Sequence, residues 1–164
     1  MRIVLMSDSH GQHEGVVLPE GDILIHAGDV SEVGKKEQVI DFIQWFSKQP
    51  HRYKVFIAGN HDFFLEKVSP SELKTLIPDN LIYLNDETVV IEGIKIFGSP
   101  VTPWFEDWAF NRFPGIEIQQ HWDKIPEDVD ILLTHGPPWH ILDQVRTGPH
   151  TGSRSEEHTS ELQS

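Results

Sequence analysis

Short apolar runs recur along the chain, and each ends in a cluster of polar residues. Residues 3–6 (Ile-Val-Leu-Met) lead to Asp8 and His10, residues 22–27 lead to Gly28-Asp29, residues 54–58 lead to Gly59-Asn60-His61-Asp62, and residues 130–134 lead to His135. Runs that are apolar throughout, rather than alternating, suit strands covered on both faces. Between them, residues 35–49 carry Val39, Ile40, Ile43, Trp45 and Phe46 at mostly helical spacing, and Pro50 ends that stretch. Ser69-Pro70-Ser71 has the composition of a helix start, with Leu73, Leu76 and Ile77 following. Strands alternating with helices predict an α/β domain with a largely parallel core, in which ligands sit at the carboxyl ends of the strands. All of the polar clusters fall at that end.

The middle of the chain reads differently. Residues 82–84, 88–91 and 94–98 are short apolar segments, and Glu92-Gly93 has hairpin-turn character. A second, more antiparallel sheet is expected to begin at residue 82. Residues 99–114 are rich in aromatics, with Trp104, Phe105, Trp108, Phe110 and Phe113. The plainer reading is a hydrophobic cluster under a long loop, and the sharper one is a wall or lid beside a site.

Composition narrows the possibilities. A chain of 164 residues fits one domain, and the absence of cysteine excludes disulfides and thiolate metal sites. No apolar run approaches the ~18 residues of a membrane span, and the first residues do not read as a signal peptide. The expectation is a soluble, cytoplasmic protein with no membrane partner. A net charge of −13 argues against a general grip on nucleic-acid backbone, while leaving room for a small phosphoester whose charge is met by bound cations.

The polar clusters offer what a pair of hard divalent metals needs: carboxylates, neutral imidazoles, an amide oxygen and a group able to bridge. Asp8 and His10 can be aimed inward by one turn. Asp29 has two oxygens with which to bridge. Asn60 offers an amide oxygen, and His135 an imidazole nitrogen. His61 could protonate a leaving group, with Asp62 orienting its ring. Taken singly, each motif reads as a polar loop or a turn. Their succession, each after a strand, is the informative observation. His26, inside a strand, reads as a core or supporting residue. His13, His51 and His121 read as surface or loop residues, and His140 and His150 as residues near the last cluster.

At Asp8-Ser9-His10, Gly28-Asp29, Gly59-Asn60-His61-Asp62 and Thr134-His135-Gly136 the chain resembles the calcineurin-like metallophosphoesterase family. Residues 98–105, 108–111 and 132–138 resemble its metallophosphoesterase-domain-containing subgroup. The resemblance implies a four-layer α/β/β/α sandwich. It puts Asp8, His10 and Asp29 on one metal, and Asp29, Asn60 and His135 on the other. It makes His61 the leaving-group residue, partnered by Asp62. The cofactors it implies are two divalent ions drawn from manganese, iron, zinc or cobalt. The activity it implies is phosphodiester hydrolysis by a metal-bridging hydroxide, with cyclic nucleotides among the substrates.

The family's late Gly-His-x-His segment does not occur in these residues. The polar stretch 154–164 reads as a non-native tail, similar to a translated sequencing adapter, joined to an incomplete domain over 1–153 that lacks its C-terminal strands. His158 is therefore not expected to be a ligand. The alternative function is an inactive fragment, or a module that holds metal or phosphate weakly. Oligomeric state is not legible.

Overall fold

The computed structural model describes residues 1–104, 106–144, 148, 150 and 152. The expected tail 154–164, with His158, and Phe105 of the aromatic loop lie outside the described residues.

The first sheet is parallel. Strands β1 (Ile3–Met6), β2 (Ile23–Ala27), β3 (Tyr53–Ile57) and β4 (Ile82–Tyr83) lie side by side in chain order. Helix α1 (Lys36–Ser47) returns the chain from β2 to β3, close to the stretch expected from its spacing. It presents Val39, Phe42, Ile43 and Phe46 to Val4, Leu24 and Phe56 on one face of the sheet. After β3 come α2 (Phe63–Lys67) and α3 (Pro70–Leu76). Ser69 caps α3 by accepting from the Glu72 amide, with Pro70 in the first turn, as its sequence predicts.

Contrary to the expectation, the segment at 82 does not open a second sheet. Ile82 and Tyr83 pair in parallel with Val55 and Phe56, and the Tyr83 ring packs 5.0 Å from that of Phe56. The chain leaving α3 meets the free edge of β3 first. It crosses to the other layer only after Leu84, which packs between the sheets.

The second sheet starts with β5 (Glu87–Ile91) and β6 (Ile94–Ser99), an antiparallel hairpin. Its Glu92-Gly93 turn has φ of 51° and 84°, the left-handed pair that a two-residue hairpin requires. A two-stranded ribbon, β7 (Thr102–Pro103) and β8 (Asn111–Arg112), brackets the aromatic loop, and α4 (Ile116–Trp122) follows. Finally β9 (Ile131–Thr134) pairs in parallel with β6. The fourth apolar run therefore belongs to the second sheet and not to the parallel core of the first. The two sheets face each other through Ile23, Ile25, Val55 and Ile57 on one side and Leu84, Ile91, Ile96 and Leu133 on the other.

This is a mixed α/β layering with helix, sheet and sheet stacked in turn. Leu5 shares the inter-sheet face with its neighbour Ile25, yet it is 71% exposed. Among the described residues the second sheet does not reach over β1, and β9 forms its edge. No helix among the described residues is long and apolar enough to cross a membrane.

Candidate metal centre

Every expected ligand lies just past the carboxyl end of a strand, and the facing sheets bring those ends together. The β1 loop and the β2 loop are stitched by parallel backbone bonds. The Asp8 amide donates to the Gly28 carbonyl at 3.0 Å, His10 to Asp29 at 3.0 Å and Gly11 to Val30 at 3.1 Å. Asp8, His10 and Asp29 all have left-handed backbones, with φ of 54°, 43° and 58°. Non-glycine residues persist in that region only when their surroundings hold them there, and such strain gathers at functional sites.

Asp29 sits at the middle of the constellation and is buried. Its Oδ2 lies 3.7 Å from His10 Nε2, and its Oδ1 lies 3.4 Å from His135 Nε2. The His61 amide donates to Oδ1 at 2.8 Å. Burial pushes the Asp29 carboxyl up, but His135 and the His61 amide outweigh that and hold it below the usual carboxylate range. Burial pulls the His135 imidazole down, and Asp29 more than reverses this, so its pKa is raised.

The His135 ring has a determined orientation. Its Nδ1 is 2.8 Å from the Ala27 carbonyl, which can only accept, so Nδ1 carries the proton. Nε2 then faces Asp29 Oδ1 and, at 3.0 Å, Asn60 Oδ1. Nε2 therefore faces two acceptor oxygens, a place that either a proton on the ring or a bound cation satisfies. The donor chemistry fits a hard or borderline divalent ion. The same reasoning applies to His61. Its Nδ1 donates to the Glu32 carbonyl at 2.6 Å, leaving Nε2 toward the centre.

Among the described residues, His10, Asp29 and His61 form one set whose ligand atoms all lie within 4.8 Å of one another, and Asp8, Asp29 and His135 form another. Asp29 belongs to both. His61 stands beside His10, and Asp8 lies within reach of His135 as well as of His10. His10 Nε2 is 4.0 Å from Asp8 Oδ1. His61 enters the cluster because Glu32 holds one edge of its ring. Trp108 packs against that ring with centroids 4.4 Å apart, and the His10 ring meets it edge-on at 4.6 Å.

Asp62 does not pair with the His61 ring. Its carboxylate is fully buried and accepts from the amides of Ser31 (2.9 Å), Val30 (3.2 Å) and Gly59 (2.8 Å), and from the Ser31 hydroxyl at 2.6 Å. Its role is to tie the β2 loop to the β3 loop. Burial pushes its carboxyl up and these four donors restrain the rise.

Glycine is needed where the loops touch. A Cβ at Gly59 would stand 2.2 Å from Asp29 Oδ1 and 2.8 Å from His135 Cε1. At Gly28, with φ of 100°, one would stand 2.6 Å from both the Ala58 carbonyl and His135 Nδ1.

Three other histidines depart from or sharpen their expectations. His13 is fully buried against Phe42 and Trp45, with Nε2 3.2 Å from Asp41. His51 is buried with Nε2 3.0 Å from the Pro19 carbonyl. Neither is a surface residue, because α1 and the loop before β2 fold over them. His121 is half-buried and bonds Asp86. His150 pairs with Asp143, and its ring lies 4.2 Å from that of His140. These two do not join the ligand sets.

His26 is fully buried, and its pKa is pulled down to about 3, by burial first and then by its histidine neighbours. A ring that is neutral when folded takes up its proton when the chain unfolds, so stability is complete above about pH 6.5 and is lost progressively toward pH 3. Between about pH 7 and pH 5 this ring alone should remove about 2 kcal/mol. Urea unfolding at both pH values checks this, and the pH dependence should shrink by that amount in His26→Phe.

The aromatic loop divides between its two readings. Ala109 and Phe110 are buried in the core, while Trp104 and Phe113 stack on each other at 5.2 Å and remain half-exposed. Trp104, Thr102, Asn111, Pro137, Asn60 and His135 line a cavity of about 360 Å³ that opens directly onto the centre.

A parallel sheet facing a second sheet, with carboxylates, imidazoles and an amide converging at the strand tips, is the arrangement of the metallophosphoesterase fold. The model of the calcineurin-like phosphoesterase family matches residues 1–161, and the chain belongs to that family. It is 39% identical over 165 aligned residues to human metallophosphoesterase domain-containing protein 1, an alignment covering 88% of this chain and 51% of that protein. A UPF0046 protein of Caenorhabditis elegans is 35% identical, covering 88% of this chain and 53% of the relative. A probable rhamnogalacturonate lyase C of Emericella nidulans is 43% identical, covering 90% of this chain but 15% of its own length. The chain thus spans about half the length of the human and nematode relatives.

Proposed function

We propose that this chain carries the centre of a divalent-metal-dependent phosphodiesterase acting on small phosphodiesters, cyclic nucleotides among them. The observation that carries the reading is Asp29, shared between two ligand sets that together include Asp8, His10, His61 and His135. Asn60 adds an oxygen beside His135. The chemistry that bound divalent ions supply there is Lewis acidity toward water and phosphoryl oxygens, and manganese, iron, zinc and cobalt all suit these donors.

The protein's own residues set the frame for that chemistry. Asp29 gives one oxygen to each side. His135 and His61 are each fixed in one tautomer by a carbonyl, so both present Nε2 to the reacting region. His61 Nε2 cannot hold an ion and carry a proton at once; when no ion takes it, the protonated ring can deliver a proton from Nε2 to a leaving oxygen. Trp108 covers the outer face of that ring and limits its motion. The cavity beside Trp104 is of a size that suits a small aromatic or nucleoside-like group, and the chain's negative charge disfavours polymeric nucleic acid.

The test is hydrolysis of an aryl phosphodiester with manganese added. Turnover that requires the metal is expected. Trp104→Ala is expected to raise KM about tenfold for the aryl diester, with little change for a methyl diester of phosphate. Metal uptake with no turnover on any phosphodiester would favour a binding module instead.

A further inference from the structure

We propose that His26 is a positioning residue for the metal centre, setting the spacing between the Asp8–His10 loop and the Asp29 loop through Ser9. The proposal rests on the metal reading above. His26 lies on β2, three residues before Asp29, and its two ring nitrogens bond Ser9 and Gly28 rather than a ligand side chain. Its Nδ1 accepts from the Gly28 amide at 3.3 Å. The ring is neutral, so its proton is on Nε2, and Nε2 donates to Ser9 Oγ at 3.1 Å.

Those two contacts reach both loops at once. Ser9 stands between Asp8 and His10, two residues held in left-handed conformations, and Gly28 immediately precedes Asp29, a third. Backbone bonds from Asp8 to Gly28 and from His10 to Asp29 already align the loops. They do not fix the Ser9 side chain, whose hydroxyl points away from the centre into the core, and the imidazole is what receives it. Phe42 meets the imidazole edge-on at 4.9 Å, and Phe46 at 6.3 Å, so the ring cannot swing away from this task. The sequence separates Ser9 from His26 by a loop, so nothing in the spacing of the motifs announces the pair.

The chemistry matches that of supporting residues elsewhere. Groups that orient metal ligands without touching the metal commonly change metal affinity about 10–100-fold when removed. Ser9→Ala, a small change at a buried position, should therefore weaken manganese binding about tenfold, and His26→Phe, which keeps an aromatic body but removes both bonds, should do at least as much. Glutamine and asparagine separate positioning from mere packing. Glutamine can carry an amide nitrogen to the place of Nε2 and still donate to Ser9. Asparagine is too short and can serve only Gly28.

The experiment is a manganese titration of the full chain followed by electron paramagnetic resonance, with the metal-free unfolding midpoint of each variant measured alongside. His26→Gln is expected to restore most of the affinity lost in His26→Phe, and His26→Asn is not. In a Ser9→Ala background the glutamine and phenylalanine variants should bind alike. Wild-type affinity in folded Ser9→Ala would overturn the proposal, as would equal weakening by glutamine and asparagine. If His26→Phe does not fold, Ser9→Ala and His26→Gln decide. If the unaltered chain takes up no manganese, the metal reading itself fails and takes this proposal with it, an outcome distinct from variants that bind as the parent does.

Discussion

Asp29→Ala is expected to abolish tight metal binding at both halves of the centre together. Its two carboxylate oxygens face opposite directions, one toward His10 and one toward His135, and it is the member common to both ligand sets. Removing a residue that only supports a ligand can cost 10–100-fold in affinity, so loss of the shared ligand should cost at least about 100-fold at each position. Asp29→Asn separates chemistry from folding. The amide oxygen can still accept from the His61 amide, now at 2.8 Å from Oδ1, so the variant should fold while losing the charge that offsets two cations. Calorimetric metal titration, with thermal unfolding of the metal-free protein, checks both halves of this prediction. An alanine variant of Asn60 should affect chiefly the position shared with His135 and leave the other measurable.

Gly59→Ala should be as damaging, for a steric reason. The added methyl would lie 2.2 Å from Asp29 Oδ1 and 2.4 Å from the Asp29 amide nitrogen, and His135 closes the remaining side at 2.8 Å. Gly59 cannot retreat easily, because its own amide is bonded to the buried Asp62 carboxylate. Overpacking of this kind typically costs about 1–3 kcal/mol. For a chain of this length that is a fall of roughly 3–10 °C in Tm, and it comes with displacement of the Asp29 carboxylate. Gly93→Ala is the control. That residue also has a positive φ, but no atom lies within 4 Å of the added carbon, so it should cost only the backbone strain, about 1 kcal/mol, and leave metal binding intact.

Much of this site can be read in the chain before any fold is known, and the reason is local. A continuous apolar run ending in Asp, Asn or His marks both a buried strand and the place where it opens to ligand, so Asp8, His10, Asp29, Asn60 and His135 can be picked out from their neighbours alone. What cannot be read depends on partners distant in sequence. The run ending at His135 looks like the other three, yet it pairs with β6 and brings its imidazole in from the opposite sheet. Ile82 and Tyr83 have strand character, but only the free edge of β3 determines which sheet they join. Asp62 follows His61 directly and suggests an ion pair. In the folded protein its oxygens are taken by backbone amides 31 and 32 residues away, and a main-chain carbonyl of Glu32, which no side-chain motif can signal, orients His61 instead. His13 looks like a loop residue until Phe42 and Trp45 close over it. Helix α2 has no side-chain cap, because Asp62 at its start is turned to other donors.

A shared carboxylate organising two cations at the joined tips of two sheets is the centre of the proposed function. Counting metal on the purified, manganese-loaded chain by elemental analysis after removal of free ion tests it most directly. Two ions per chain, falling to none in Asp29→Ala, is the predicted result. Loading that is absent in the parent chain, or unchanged when Asp29 is replaced, would contradict it.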